Sequence, residues 1–306
     1  MPADAAPAID YRSNQQLWQR PSEMTKLDRR LTPARPDLAA AHLRGQVEAA
    51  DYVEGRRVAI RVGLVDLRPE PAYDASIDTQ ALFGETAILY EDNEGWGWIQ
   101  LERDGYVGYL PITALGEVGS PPTHRVRTNR SFIYPGPNMK LPVVDALPLG
   151  AVVSVAAASE AFVRLADGGF VFADHLAALG EPETDFVAVA ERLLHAPYLW
   201  GGKSSLGVDC SGLVQISLDA AGVKSPRDTD LQEMALGAPV PLRGDLSGLR
   251  RGDLVFWRGH VGVMRDEATL LHANAHHMLV ASEPLALASD RILANTSAAI
   301  TSIRRL

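Results

Sequence analysis

From residue 51 onward, apolar residues come in short runs broken by turn formers, as in VAIRVGLVDL, TAILYED and GWGWIQL. Runs of this length bounded by Gly, Pro, Asn and Asp predict the short strands of a small β-barrel over residues 51–118. The pattern returns over residues 119–182 in SFIYPGPN, AVVSVAA, FVRLAD and GGFVFADHL, and DGYVGYLPITAL is echoed by DGGFVFADHLAAL. This weak internal repetition predicts two related barrels. Ahead of them, residues 1–50 are rich in Pro and Ala and read as an arm, with one short helix expected in ARPDLAAAHLRGQV.

Near residue 183 the period changes. FVAVAERLLHA places Val187, Ala190, Leu193 and Leu194 on one helical face, with Pro197 as its stop. After the loop PYLWGGKSSLGVD, a second helix is expected in CSGLVQISLDAAGV, with Leu213, Val214 and Leu218 at helical spacing and Gly222 at its end. DLVFWR, HVGVMR, TLLHAN and HMLVAS follow as strands. Helices leading into an antiparallel run make residues 183–306 an α+β domain.

At 306 residues the chain is long enough for several units rather than one core. Its 46% apolar and 22% charged residues are those of an ordinary globular protein. A net charge of −9 argues against nucleic acid or an anionic membrane as partner and suits a small cationic group on a substrate. The opening residues lack the basic start and apolar run of a secretory signal, and no stretch approaches the roughly 18 apolar residues of a membrane span. A cytoplasmic location is therefore expected, with no obligate protein partner evident. One cysteine forms no intramolecular disulfide, which fits a reducing compartment and leaves a thiol free for chemistry.

That thiol stands in Asp209-Cys210-Ser211-Gly212, at a helix start. Asp209 is a natural N-cap, and the free N–H groups of a first turn favour an anion, so Cys210 is expected to ionise easily. The same N–H groups can donate to an oxyanion. A base is available in HVGVMRDEATLLHAN, where turn residues around Asp266 predict a hairpin. With Arg265-Asp266-Glu267 as its loop, His260 and His272 lie directly opposite on one face, their Cβ atoms about 5 Å apart. One imidazole can then orient the other, giving nucleophile, base and orienter. Gly202-Lys203-Ser204 ends like a phosphate-binding loop, but the upstream glycine position holds Pro197, which excludes nucleotide binding. His272, His276 and His277 lack an HExxH helix or a second cysteine, so neither metal nor other cofactor is expected.

In order, PYLWGG, DCSG, PRDTDLQ, RGDLVFW, HVGV and LLHAN resemble the motifs of the NlpC/P60 cysteine peptidases, whose catalytic domain is a papain-like α+β core. The resemblance implies Cys210 as nucleophile, His260 as base and His272 as orienter. With two bacterial SH3-like barrels ahead, the chain is similar to the subgroup that hydrolyses the bond between γ-D-glutamate and a diamino acid, diaminopimelate or Lys, in murein peptide recycling. There the first barrel walls off the cleft, so the partners implied are small murein peptides with a free N-terminal L-Ala. Glu85 or Tyr106 is then expected at the ammonium. Trp200, Asp209 and Ser211 match substrate-contacting positions, Asp209 also near the amine. Thr229 stands where the family has Ser, keeping the hydroxyl and adding a methyl. The rival readings are an amidase or acyltransferase on the same scaffold, and a non-catalytic protein that binds wall fragments.

Overall fold

The computed structural model describes residues 27–158 and 161–306. The first 26 residues of the expected arm lie outside the described residues. The segment expected as a short helix is instead a strand, Leu38–Ala40, parallel to Asp51–Val53, followed by one 3₁₀ turn, Ala41–Leu43. Pro33 and Pro36 break the helical run just ahead of it, and pairing of Leu38 with Asp51 overrides the helix preference of the alanines.

In the first β-rich region a five-stranded sheet has the order Val107–Pro111, Trp96–Leu101, Thr86–Asn93, Arg56–Ile60, Leu115–Gly116. Leu64–Leu67 and Thr79–Leu82 form a separate pair, joined to this sheet by a single bridge between Arg68 and Tyr109. The ladder does not close into a barrel. Pro69 and Pro71, directly after that bridge, offer no N–H with which to extend it. The second region is likewise open, with two three-stranded sheets and a pair, bridged at Tyr134 and Phe170 just ahead of Pro135 and Pro137. The echo between the regions is structural too: each ends strand, 3₁₀ turn, strand, through Ile112–Ala114 in one and Ala173–His175 in the other.

The remaining chain is of mixed helix and strand. A six-stranded antiparallel sheet has the order Ala238–Val240, Ile300–Arg305, Leu254–Trp257, His260–Met264, Thr269–Asn274, Leu279–Pro284. Against it pack α1 (Phe186–Glu191) and α2 (Cys210–Ala220), and α3 (Thr229–Ala235) and α4 (Leu285–Thr296) complete the helices. α1 ends before the expected stop: His195 takes a left-handed conformation, φ 69°, two residues ahead of Pro197. α2 is buried on every side from Cys210 to Leu218, so its polar residues must find partners inside. Gln215 Nε2 donates to Asp104 Oδ2 (2.9 Å) and to the Ser225 carbonyl (3.1 Å).

Buried polar contacts fasten the first β-rich region to this α+β part. Lys203, fully buried, donates from Nζ to Glu85 Oε1 (3.3 Å), and its main-chain N–H donates to Gln80 Oε1 (2.8 Å). Glu85 also accepts from Arg103 (2.5 Å) and from the Leu82 N–H (3.1 Å). Burial pushes the Lys203 ammonium down to about 8, against the pull of Glu85. Burial pushes the Glu85 carboxyl the other way, but the Lys203 and Arg103 cations outweigh it and hold it below the usual range. Breaking a buried pair costs more than replacing it. Glu85→Gln is therefore expected to lower unfolding stability by about 3 kcal/mol in urea titrations, and Glu85→Leu with Lys203→Met to cost less. A single variant as stable as the parent would show that the pair contributes nothing.

Candidate active site

The loop that leads to Cys210 is held by backbone contacts only glycine permits. Gly201 has φ +75°, and a Cβ there would lie 2.5 Å from the Ile77 carbonyl of the first β-rich region. A Cβ on Gly212 would meet the Gly202 carbonyl at 2.3 Å, so the turn after the cysteine packs directly on the loop before it.

Asp209 caps α2 by accepting from the Gly212 N–H at 2.7 Å. The rest of its carboxylate is also engaged. Oδ1 accepts from Ser211 Oγ (3.3 Å) and Arg227 Nη1 (3.0 Å), and Oδ2 from the Gly201 N–H (2.9 Å) and Arg227 Nη2 (2.7 Å). Arg227, 1% exposed, reaches on to Thr79 Oγ1 (2.8 Å) and the Gly202 carbonyl (3.3 Å). In this arrangement Asp209 and Ser211, both expected at the substrate, hold the loop and the helix start.

Cys210 is buried, with Sγ 3.8 Å from Thr229 Oγ1 at the first position of α3. Burial and the neighbouring Asp209 carboxylate push the thiol up to about 11, against the Thr229 hydroxyl, the Val261 N–H and Arg227. The expectation of an easily ionised thiol is thus overturned: desolvation and the capping carboxylate outweigh the helix start.

His260 and His272 do meet, with His260 Nε2 2.8 Å from His272 Nδ1. Their register differs from the expected one. Val263 pairs with Leu271 and Met264 with Leu270, and Arg265 N–H donates to the Thr269 carbonyl, so the loop is Asp266-Glu267-Ala268. Continued, this register sets His272 beside Gly262, and the two imidazoles touch diagonally across one face. Burial, then His272 and Arg291, hold the His260 imidazole down at about 3, with Glu283 opposing.

Trp200 is 66% exposed beside the Gly201 turn. Tyr106 donates from its hydroxyl to Asp228 Oδ2 (3.2 Å), next to Arg227. Glu85 is spent on Lys203 and Arg103. Besides Asp228, a second acidic group acts on Tyr106: Asp78, on the strip that abuts Gly201. Burial raises its pKa, Asp228 adds to the rise, and Arg29 and Arg227 oppose it. Asp78 has no signature in the sequence. Tyr198 was also missed: burial and its neighbours Cys210 and Asp209 push its phenol up, so it stays a neutral donor near the thiol. Its only sequence signal is its place in PYLWGG.

A buried thiol at a helix start, a linked imidazole pair and an α+β scaffold are the parts of a papain-like thiol hydrolase. The model of the NlpC/P60 family matches residues 195–292, and that of the bacterial dipeptidyl-peptidase Sh3 domain matches residues 67–115. A γ-D-glutamyl-L-lysine dipeptidyl-peptidase of Bacillus subtilis is 29% identical over 257 residues, covering 76% of this chain and 81% of that one. A probable endopeptidase of Haemophilus influenzae is 33% identical over 115 residues, covering 34% of this chain and 68% of that one. In fold, an NlpC/P60 family protein from Bacillus cereus superposes with a TM-score of 0.67 at 19% identity, over 82% of this chain and 99% of that one. The chain belongs to the NlpC/P60 family and is a cysteine peptidase.

With the thiol near 11 and the imidazole near 3, both are neutral at pH 7. Alkylation by iodoacetamide is expected to accelerate about tenfold per unit between pH 7 and 9, with no acidic plateau. The single cysteine makes intact mass a direct readout. A rate that is flat down to pH 5 would indicate a thiolate–imidazolium pair instead.

Proposed function

We propose that the protein is an endopeptidase that hydrolyses the γ-D-glutamyl–diamino acid bond of free murein peptides bearing an N-terminal L-Ala, and that it serves cell-wall recycling in the cytoplasm. The observation that carries this reading is that the loop and helix start bearing Cys210 are braced against another region, where Ile77 meets Gly201 and Thr79 meets Arg227. The names of the Bacillus relatives support the bond chosen. The diamino acid is diaminopimelate or Lys.

In this reading Cys210 attacks the γ-glutamyl carbonyl as His260 takes its proton, and first-turn N–H groups of α2 with the Tyr198 hydroxyl receive the oxyanion. His260 then protonates the leaving amine, and water, activated by the same imidazole, hydrolyses the acyl-enzyme. The starting pair is neutral, so proton transfer accompanies attack. Thr229 and Trp200 flank the γ-glutamyl group. The substrate ammonium is taken by Asp78, with Tyr106 and the Arg30-paired Asp228 beside it: a half-buried carboxyl with a raised pKa gains from a cation.

Residues 51–118 and 119–182 are read as SH3-like units and residues 183–306 as the catalytic domain. The match of residues 67–115 to an Sh3 model supports the first of these. An open ladder bridged at one point is a distorted form of such a barrel.

The purified protein is expected to cleave L-Ala-γ-D-Glu-diaminopimelate between the last two residues and to spare its N-acetylated form, with products followed by mass spectrometry. Cys210→Ala should lose turnover by at least about a thousandfold. Undiminished cleavage by that variant would sink the mechanism, and release of an amide or an acyl-transfer product would favour the rival chemistries. Asp78→Asn should raise KM for the free peptide by about tenfold or more and leave kcat near the parent value. Equal cleavage of both peptides by the parent would dismiss the amine gate.

A further inference from the structure

The imidazole pair does not end the run of hydrogen bonds. Glu283, on the strand Leu279–Pro284, accepts at Oε1 from His272 Nε2 (2.8 Å). Arg291, on α4, donates from Nη1 to Glu283 Oε2 (2.6 Å) and from Nη2 to Oε1 (2.5 Å). Cross-strand pairing of His272 with Ala281 and of Leu270 with Glu283 makes this contact diagonal, as is the one between the two histidines. We propose that Glu283 is a positioning residue that fixes the tautomers of both histidines, so that the Nδ1 of His260 is left bare to take a proton from Cys210. The inference rests on the reading of Cys210 as nucleophile and His260 as base.

The tautomers are set one proton at a time. A carboxylate only accepts, so His272 must carry its proton on Nε2. Burial keeps His272 neutral, so its Nδ1 holds a lone pair. That lone pair can only accept, so the bond of 2.8 Å is donated by His260 Nε2. His260 is itself neutral and therefore keeps its remaining lone pair on Nδ1. Reversing the first donor reverses every later one. Arg291 guards the start: it offers donors only, and with His272 it holds the Glu283 carboxyl far below the usual range, against burial. The other titratable neighbour, His277, has Nδ1 3.9 Å from Glu283 Oε1 and is engaged at 3.0 Å with Asn274 Oδ1.

Glu283→Gln is nearly isosteric, and its amide has one accepting and one donating end. Arg291 needs the acceptor, so the amide NH₂ turns to His272 Nε2, which becomes a lone pair. His272 then donates from Nδ1, His260 accepts at Nε2, and the proton of His260 moves to Nδ1, where it can no longer act as base. Imidazole ¹⁵N spectra of the full-length protein are expected to show both tautomers exchanged in this variant. The kcat should fall by at least about a hundredfold with KM within about threefold, since a wrong tautomer in a comparable hydrolase costs about 10⁴. Glu283→Asp, which keeps a carboxylate, should recover at least about tenfold of the loss.

Unchanged tautomers in Glu283→Gln, or a kcat within about threefold of the parent, would overturn the proposal. The spectra need no turnover, which separates the two readings. Exchange of tautomers in a protein that cleaves no peptide keeps the relay and sinks the peptidase assignment. Cleavage that depends on His260 but not on Glu283 does the reverse.

Discussion

The buried ion pair between Arg227 and Asp209 is the contact on which the site depends. Its guanidinium touches Thr79 of the first β-rich region, the Gly202 carbonyl, Ser211 and both oxygens of the residue that caps α2. Cys210 is the next residue, so its place is set by what holds Asp209. A buried pair of this kind gains little net stability, because desolvation offsets most of the attraction. What it supplies is geometry: both oxygens of Asp209 and three nitrogens of Arg227 have partners, and moving any of them leaves a charge unpaired.

The same pair explains why the thiol is not a ready thiolate. A capping carboxylate that fixes a helix start also places a negative charge beside the first helical residue, and burial removes the water that would soften it. The Val261 N–H and the Thr229 hydroxyl return only part of the loss. In the proposed reaction, a neutral thiol and a neutral imidazole make the direction of the imidazole lone pair matter more than its basicity. That shifts weight onto the strands that orient His260.

Much of the α+β part was legible because its signals are local. A residue that caps, a cysteine after it, a glycine that ends the helix and four alternating runs need no distant partner to be read. The histidine contact shows where such reading is robust. The loop lies one residue later than expected and the pairing differs by two, yet strand parity keeps both imidazoles on one face and diagonal contact replaces direct opposition. Glu283 lay on that same face and was passed over, because its role appears only when a third strand is registered against His272. The β-rich regions were less legible. Alanine-rich residues 38–43 favour a helix in isolation and were claimed by pairing with Asp51–Val53. Glu85 reads as an accessible anion and is consumed by Lys203, while Asp78, with nothing to mark it, follows the Ile77 that abuts Gly201.

The division between these two acids bears on how the proposed substrate would be selected. Glu85 has three donors, and its charge is balanced by Lys203 and Arg103, so it has little to offer an incoming cation. Asp78 faces a different condition: it is partly desolvated and Asp228 raises its pKa further, while Asp228 itself is paired with Arg30 at 2.8 Å and Arg227 is committed to Asp209. Negative charge on Asp78 is costly there, because burial and Asp228 outweigh the pull of Arg29 and Arg227. An ammonium docking there would relieve that cost, whereas an acetylated terminus would leave it in full and add an amide without a partner. Discrimination by charge at the amine end of the proposed substrate then needs no moving part, only the attachment of the first region that Glu85, Lys203 and Thr79 provide.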